Sequence, residues 1–583
     1  MVNIKINGIE YSVEEGTTIL EACRQNGIRI PTLCWLKDIN AIGACRICVV
    51  EMTGARSLTA ACVYPISKFD EGKNILTHSP AVLESRKMTL QLLLSDHNMD
   101  CLACARSGNC ELQALCKELG VDDSTYFSGD KNDFDIDCSS LHMYRDDNKC
   151  INCRRCVAVC EKNQGVGVIG ANERGFKTEI GCAFGMDLAD TACVSCGQCI
   201  TACPTGALSE RDDTNKVWEA LADPEKVVVV QTAPAVRASL GEAFGYPIGT
   251  PVEGKLAASL KRLGFNAVFD TNFGADLTIM EESNEFLERV QNGGTLPMIT
   301  SCSPGWIRYC EAYFPEFLPN LSSCKSPQQM TGAIVKTYWA KKNNIDPKNI
   351  VSVSVMPCTA KKFEIGREDQ SAAGVPDVDI SITTRELVKM INKAGLRFTE
   401  LPDEKFDSPL SEGTGAAIIF GATGGVMEAA LRTAVWKLTG EAPDSPVEFN
   451  EVRGVDGIKF AEYKVGDMTV KVAVVSGLAN AKKLLTQVKN GEVEVHFIEV
   501  MACPGGCVNG GGQVIQPAEV RNFTDLRAER AKALYSLDNA RALRKSHESP
   551  EIKEVYENFL GEPGSHVAHE TLHTTYKASS LSK

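Results

Sequence analysis

The stretch Met501–Gly512 reads MACPGGCVNGGG and sets Cys503 and Cys507 four residues apart among Gly505, Gly506 and Gly510–Gly512. Two thiolates at that spacing can share one metal centre, and the glycines allow tight turns and close approach of the main chain to a bulky ligand. Zinc accepts the same spacing, so this pair alone chooses no metal. The chain holds 25 cysteines in 583 residues, and only six follow Pro204. In a long chain without an export signal, cysteines clustered at C-x2-C spacing indicate metal rather than disulfides.

The upstream cysteines fall into four sets. Cys34, Cys45, Cys48 and Cys62 follow the pattern C-x10-C-x2-C-x13-C, with Gly43 and Ala44 beside them. Small neighbours leave room for amide donors to cluster sulfides. His97, Cys101, Cys104 and Cys110 offer one imidazole and three thiolates, a set open to zinc or to an iron–sulfur cluster. Two further runs follow. The first is Cys150-x2-Cys153-x2-Cys156-x3-Cys160, and the second is Cys193-x2-Cys196-x2-Cys199-x3-Cys203-Pro204. This is the two-cluster ferredoxin pattern, in which the fourth cysteine of each run serves the other cluster. Cys203 then joins Cys150, Cys153 and Cys156, while Cys160 joins Cys193, Cys196 and Cys199. Glu161 stands where proline is usual after the first run, which touches turn geometry and not ligand count. Four redox centres in one chain make sense as a wire with an electron partner at one end.

The net charge of −14 disfavours nucleic acid and anionic membrane as partners. The start, MVNIKINGIEYSVEEG, has no apolar core of a signal peptide, and the weakly charged run Gly413–Met427 is too short to span a bilayer. A cytoplasmic protein is expected.

The elements that must position these residues can be read by periodicity. Residues 2–12 alternate around Asn7-Gly8, a hairpin with a primed turn, and Thr18–Asn26 reads as a helix. Leu83–Ser95 is expected to form a helix with Leu83, Met88, Leu92 and Leu93 on its apolar face, delivering His97. Residues 120–148, with Asp122, Asp123, Asp130, Asp133, Asp135 and Asp137, read as a solvated linker. Beyond residue 225 the pattern becomes α/β. Strands are expected at Val227–Gln231, Ala267–Asp270, Met298–Thr300, Val351–Val355 and His496–Val500, with helices at Ala235–Phe244 and Leu277–Gln291. Three of these strands end in cysteine loops, so Cys302, Cys358, Cys503 and Cys507 can converge where open α/β sheets place ligands.

The first cysteine set resembles a [2Fe–2S] ferredoxin domain of the β-grasp type, and the second resembles the [4Fe–4S] module with one histidine and three cysteine ligands that follows it in hydrogen-metabolising enzymes. TSCSPGW (300–306), MPCTAKKFE (356–364) and EVMACPGGCVNGGG (499–512) resemble the three signature loops of [FeFe]-hydrogenases. SPQQM, DLTIMEE and FGATGGVMEAA lie in the family's order around them, and RKSH and AHETLHTTY match its final segment. The resemblance implies a multidomain α+β and α/β chain. Its expected parts are a [2Fe–2S] domain over 1–78, the histidine-ligated module over 79–119, a two-cluster ferredoxin domain over 140–210, a large catalytic domain over 225–515 and a small C-terminal helical segment over 520–583.

It further implies one [2Fe–2S] cluster, three [4Fe–4S] clusters and an H-cluster, a [4Fe–4S] cubane joined by a cysteine sulfur to a two-iron unit carrying CO, cyanide and a dithiolate amine. Cys302, Cys358, Cys503 and Cys507 are the expected ligands, with Cys507 favoured as the bridge. Lys361 is placed to hydrogen-bond a bound cyanide, and Met356 and Met501 supply soft packing. Family members usually carry adjacent cysteines in the first loop, one a cubane ligand and one a proton relay. Here Cys302 is followed by Ser303. Because thiolate is the better iron ligand, Cys302 is expected on the cubane and Ser303 near the relay, although strict spacing would reverse the two. The family's proton path implies Glu282, Ser322 and Glu285. Cys23, Cys116, Cys138, Cys182, Cys310 and Cys324 are left over and are expected to be structural.

The expected function is reversible H2 cleavage, with electrons leaving through the clusters to a flavin and NAD(P)-binding subunit, with small ferredoxin-like subunits and maturation proteins as further partners. Gly421-x2-Gly424-Gly425 lacks the dinucleotide fingerprint, so NAD(P) is expected on another chain. A stand-alone ferredoxin-linked hydrogenase is the alternative. A hydrogen sensor or an iron–sulfur assembly protein is disfavoured by the Lys361 loop and the complete front end.

Overall fold

Asn7 and Gly8 both adopt positive φ, 52° and 86°, which closes the hairpin between strands Val2–Ile6 and Ile9–Val13 in the primed geometry. The computed structural model describes residues 1–122, 129–411, 413–440, 447–465 and 468–581. Val2, Ile4 and Ile6 face inward from the first strand and are fully buried. Five strands form this sheet, in the order Ile9–Val13, Val2–Ile6, Asn74–Leu76, Val49–Met52 and Thr59–Ala60. The helix Ile19–Gln25 begins at Thr18, whose hydroxyl accepts from the Glu21 amide at 3.2 Å.

The next helix runs Pro80–Asp96, and its orientation differs from expectation. Val82, Leu90 and Leu94 are buried, while of the expected face Leu93 packs partly against the core and Leu83, Met88 and Leu92 are exposed. Arg86 turns the helix: its guanidinium is buried and donates to the Val49 carbonyl at 2.8 Å, fixing that face against the first domain. The helix still ends at His97.

The acidic segment before Cys150 is not a free linker. Asp137 accepts from the Leu188 amide at 3.1 Å, Asp147 is buried and bonded to Arg145 at 2.7 Å, and strand Met143–Arg145 pairs with Leu208–Glu210. Asp123 lies outside the described residues.

Two four-stranded sheets build the large region. One is wholly parallel, ordered Ala267–Asp270, Val227–Thr232, Ile350–Met356 and Ile380–Thr383. The other is ordered Met298–Ile299, Phe497–Met501, Met468–Ser476 and Ile458–Val465, with only its last strand antiparallel. Phe497–Met501 is buried at every position, as a strand covered on both faces must be. Residues 235–244, expected as one helix, form two 3-10 turns, Pro234–Val236 and Leu240–Phe244. Between them Arg237 is fully buried and paired with Glu253 and Asp270, each at 2.7 Å. A Cβ at Gly241 would lie 2.9 Å from Val252, so the chain bends to keep the ion pair and this close packing.

The helix Asn272–Asn292 crosses the centre, carries Glu281, Glu282 and Glu285, and ends at Gly293 in the left-handed region. The C-terminal helices Leu526–Ala540, Pro550–Val555 and His566–Leu572 pack back onto this region. Among the described residues, no helix is long and apolar enough to cross a membrane.

Candidate active site and its electron route

The three cysteine loops meet between the carboxyl ends of the two sheets, the position where α/β architectures bind ligands. Cys358 follows strand Ile350–Met356 of the first sheet, while Cys302 and Cys503 follow the paired strands Met298–Ile299 and Phe497–Met501 of the second. The Gly512 amide donates to the Pro357 carbonyl at 2.7 Å, tying the second loop to the third. Met356 and Met501 are buried at the two strand ends.

Around Cys503 the charged or titratable neighbours are Cys358, Cys196 and Cys507, and Cys507 in turn faces Cys358 and Lys361. Cys302 has Glu282, Cys507, Lys361 and Glu499 as its charged or titratable neighbours. The Ser303 hydroxyl accepts from the Ala502 amide at 3.3 Å, immediately before Cys503. Both first-loop residues therefore border the site, Cys302 with Glu282, Cys507 and Lys361 nearby and Ser303 bonded to the backbone just before Cys503. Burial pushes all four thiols up, Cys507 to about 12 with Cys358 adding to the effect. Such thiols become thiolates only against a cationic centre, so the donor set fits an iron cluster.

Lys361 is buried; its ammonium pairs with Glu364 at 2.9 Å and donates to the Cys302 carbonyl at 3.3 Å. Glu364 also accepts from Ser326 and Gln328, each at 2.8 Å, which fixes the lysine over the site.

Glu282 is 1% exposed, and neither carboxyl oxygen has a hydrogen bond of ordinary length. Burial, reinforced by nearby Glu285, pushes it up to about 8; the Ser322 hydroxyl draws it only partly back. Ser322 Oγ donates to Glu285 at 2.9 Å, and Glu285 pairs with Arg289 at 2.6 Å. Cys302, Glu282, Ser322, Glu285 and Arg289 therefore form a line leading outward. Arg289 and Cys324, whose thiol lies 3.9 Å from Glu285, were not singled out by sequence. The i, i+4 spacing of Glu285 and Arg289 is a signal that could have found the arginine.

The glycines of the third loop turn the chain, with Gly505 and Gly506 at φ 84° and 97°, and also admit neighbouring backbone. A Cβ at Gly511 would fall 2.2 Å from the Cys196 carbonyl oxygen, at Gly510 2.1 Å from the Pro357 oxygen, and at Gly506 2.6 Å from the Thr423 nitrogen. They admit neighbouring backbone, and Gly511 brings the two-cluster domain against the site.

Three of the four upstream sets come together in the structure. Cys34, Cys45, Cys48 and Cys62 are all buried with their sulfurs in mutual contact. His97 is buried with Nδ1 unpartnered, and burial holds it down at about 4, neutral as a ligand must be. Cys160, Cys193, Cys196 and Cys199 line one cavity, while Cys150, Cys153, Cys156 and Cys203 line another, the crossed arrangement. His142, missed in the sequence because its partner is 51 residues away, places Nε2 4.0 Å from the Cys193 sulfur.

The cysteine sets adjoin one another in a branched arrangement. Asn40 donates to both the Cys34 and Cys153 carbonyls, at 2.7 and 3.1 Å, and Cys110 lies 3.7 Å from the Pro204 carbonyl beside Cys203. Both front sets thus adjoin the Cys150 group. That group adjoins the Cys193 group, whose Cys196 neighbours Cys503.

Gly424 and Met427, at the start of helix Gly425–Thr439, both donate their amides to buried Glu499 at 2.7 Å. These groups are therefore spent on a carboxylate and cannot cradle a phosphate.

Residues 226–511 match the family described as iron only hydrogenase large subunit, C-terminal domain, and 524–579 match iron hydrogenase small subunit. Residues 1–78 match a 2Fe-2S iron-sulfur cluster binding domain, 86–125 the NADH-ubiquinone oxidoreductase-G iron-sulfur binding region, and 149–207 a 4Fe-4S dicluster domain. The chain is 50% identical to the NADP-reducing hydrogenase subunit HndD of Solidesulfovibrio fructosivorans, over 99% of each chain. It is 44% identical to iron hydrogenase 1 of Clostridium pasteurianum, over 99% of this chain and all of the other. Among solved structures it resembles apo [FeFe]-hydrogenase HydA1 from Chlamydomonas reinhardtii, with 44% identity and a TM-score of 0.55, covering 62% of this chain and 98% of that one.

Proposed function

Because this chain belongs to the iron-only hydrogenase family, we propose that Cys358, Cys503 and Cys507, with Ser303 on the fourth side, hold the H-cluster and that Cys302 serves proton transfer. The enzyme is an iron-only hydrogenase acting on H2. When bound, the H-cluster supplies reversible heterolytic cleavage of H2. The protein's part is to hold that group dry, compensate its charge and move protons and electrons apart. Lys361, fixed by Glu364, places a cation over the site; Met356 and Met501 pack against it without competing as strong ligands.

Protons pass from the Cys302 thiol to Glu282, across the Ser322 hydroxyl to Glu285, and out beside Arg289. On the opposite side Cys160, Cys193, Cys196 and Cys199, next to Cys503, would hold a cluster that would supply the first electron acceptor. The ligand sets correspond to one [2Fe–2S] and three [4Fe–4S] clusters in addition to the H-cluster. HndD is named as NADP-reducing, which supports a nicotinamide acceptor here. The spent amides at Gly424 support placing that nucleotide on a flavin-bearing partner, docked near one arm of the branched arrangement.

The observation that carries this reading is the convergence of the three cysteine loops beside the buried carboxyl of Glu282. The test is maturation of the purified chain followed by infrared spectroscopy and H2 uptake. Bands in the CO and cyanide region with H2-dependent dye reduction are expected, and their absence after full iron loading sinks the reading. Co-purification from the native host identifies the acceptor: a flavin subunit is expected, whereas ferredoxin alone favours the stand-alone alternative.

A further inference from the structure

The C-terminal segment reaches back to the outer end of the proton path. After helix His566–Leu572 the chain runs along residues 323–325: the Lys325 amide donates to the Leu572 carbonyl at 2.8 Å, the Thr574 amide donates to the Ser323 carbonyl at 2.8 Å, and Cys324 lies opposite His573. This register lays the His573 ring across two carboxylates of one helix face, Glu281 and Glu285, spaced i and i+4. Its Nε2 is 3.1 Å from Glu281 Oε2, and its Nδ1 is 2.8 Å from the Ser323 hydroxyl. A His573 nitrogen, the Cys324 sulfur and a Glu285 oxygen all lie within 4.8 Å of one another.

We propose that His573 is a proton-relay residue that gives Glu285 a second outlet to solvent. This rests on the path through Glu282, Ser322 and Glu285 described above. Glu281 is fully buried and anchored by Tyr556 and by the Gly564 amide at 2.9 Å, so it orients the imidazole and compensates its positive charge. Its other charged neighbour is Lys437. Glu285 adds the Arg289 guanidinium on its far side. In the transfer the Glu285 O–H bond breaks and an imidazole N–H bond forms, through the Cys324 thiol or one water spanning the gap. The imidazolium then returns a proton to solvent, and no electron moves. Exposed His569, whose ring centroid is 4.1 Å away, extends the route to the surface.

The same three donors could suggest a metal site. Against that, both imidazole nitrogens are already hydrogen-bonded and Glu285 carries an arginine at 2.6 Å, which would repel a cation. The network is built for protons.

The test compares His573→Gln and His573→Ala in the matured, full-length enzyme. Glutamine keeps a donor towards Glu281 but carries no proton. H2 uptake with a viologen acceptor is expected to fall about tenfold in both variants, the lower range of proton-transfer effects, with iron content and melting unchanged in His573→Gln. Added imidazole is expected to restore His573→Ala and not His573→Gln. A His573→Gln enzyme running at the wild-type rate, or a His573→Ala enzyme that imidazole fails to restore, overturns the proposal. Glu282→Gln, run alongside, separates the two ideas. If it too runs at the wild-type rate the inner path itself is wrong, whereas if it is inactive while His573→Gln is normal, only the second outlet is refuted.

Discussion

Glu282 and Glu285 stand three residues apart on one helix and are held in opposite ways. Glu285 accepts from Ser322 and from the Ser323 amide and pairs with Arg289, so its charge is well compensated. Glu282 is buried, with only the Ser322 hydroxyl close to it and no cation paired to it, which favours the neutral acid. An inner acid that keeps its proton beside an outer anion bonded to an arginine sets a direction for proton hand-off, with Ser322 between them.

Replacing Glu282 by glutamine keeps size and neutrality but removes the transferable proton. H2 turnover is expected to fall by at least about 10²-fold with iron content unchanged. With the carboxyl held up to about 8, it is protonated at pH 7 and ionises only as pH rises past 8. Its infrared C=O band should be present at pH 7, fade above pH 8, and be absent from Glu282→Gln.

The first loop offers a second discriminating pair. With Cys302 facing Glu282 and Ser303 bonded to Ala502, Cys302→Ala is expected to keep a full cubane and lose proton-coupled turnover. Ser303→Cys is expected to shift the cubane's electron paramagnetic resonance signal and reduction potential, measured before the two-iron unit is inserted. Loss of the cubane in Cys302→Ala, with an unaltered spectrum in Ser303→Cys, would return the ligand role to Cys302.

The cysteine sets were legible because their ligands lie close in sequence, so spacing alone encodes them. The strands and the central helix were legible from periodicity, and strand Ala267–Asp270 falls where expected. What escaped depends on distant docking. His142 meets Cys193 only after strand Met143–Arg145 pairs with Leu208–Glu210, and His573 meets Glu281 across 292 residues. The helix at Pro80–Asp96 was found but turned, because buried Arg86 outweighs the exposed Leu83, Met88 and Leu92. The glycines around Cys503 were visible, but their partners, Cys196 and Pro357, were not.

Gly511 tests the electronic junction. An alanine there would place its Cβ 2.2 Å from the Cys196 oxygen and 2.6 Å from the Gly197 Cα, both backbone atoms that cannot swing aside. Gly511→Ala is expected to destabilise the contact by about 1–3 kcal/mol and to widen the gap between Cys503 and the Cys196 cluster. Exchange of H2 with deuterated water needs no wire and should survive, while viologen-linked H2 uptake should fall severalfold. Equal loss of both activities would place the damage in the active site itself.

His547 links the C-terminal segment to stability rather than to turnover. Its ring stacks on Trp436 with centroids 4.1 Å apart and planes 8° from parallel, and Nδ1 lies 3.4 Å from the Thr433 hydroxyl. Burial, with Lys545, Lys553 and Lys437 nearby, lowers it from the ordinary 6.5 to about 4. The neutral ring is therefore favoured by the fold. Its contribution is complete above pH 6.5 and is lost as pH falls from 6.5 towards 4, worth about 3 kcal/mol over that window. At pH 5 roughly 2 kcal/mol should already be gone. Phenylalanine at this position keeps the stack and cannot be protonated. Thermal unfolding under anaerobic conditions should show a smaller drop in Tm between pH 7 and pH 5 for His547→Phe than for the wild type. An equal drop in the two proteins would mean that this histidine is not what acid attacks.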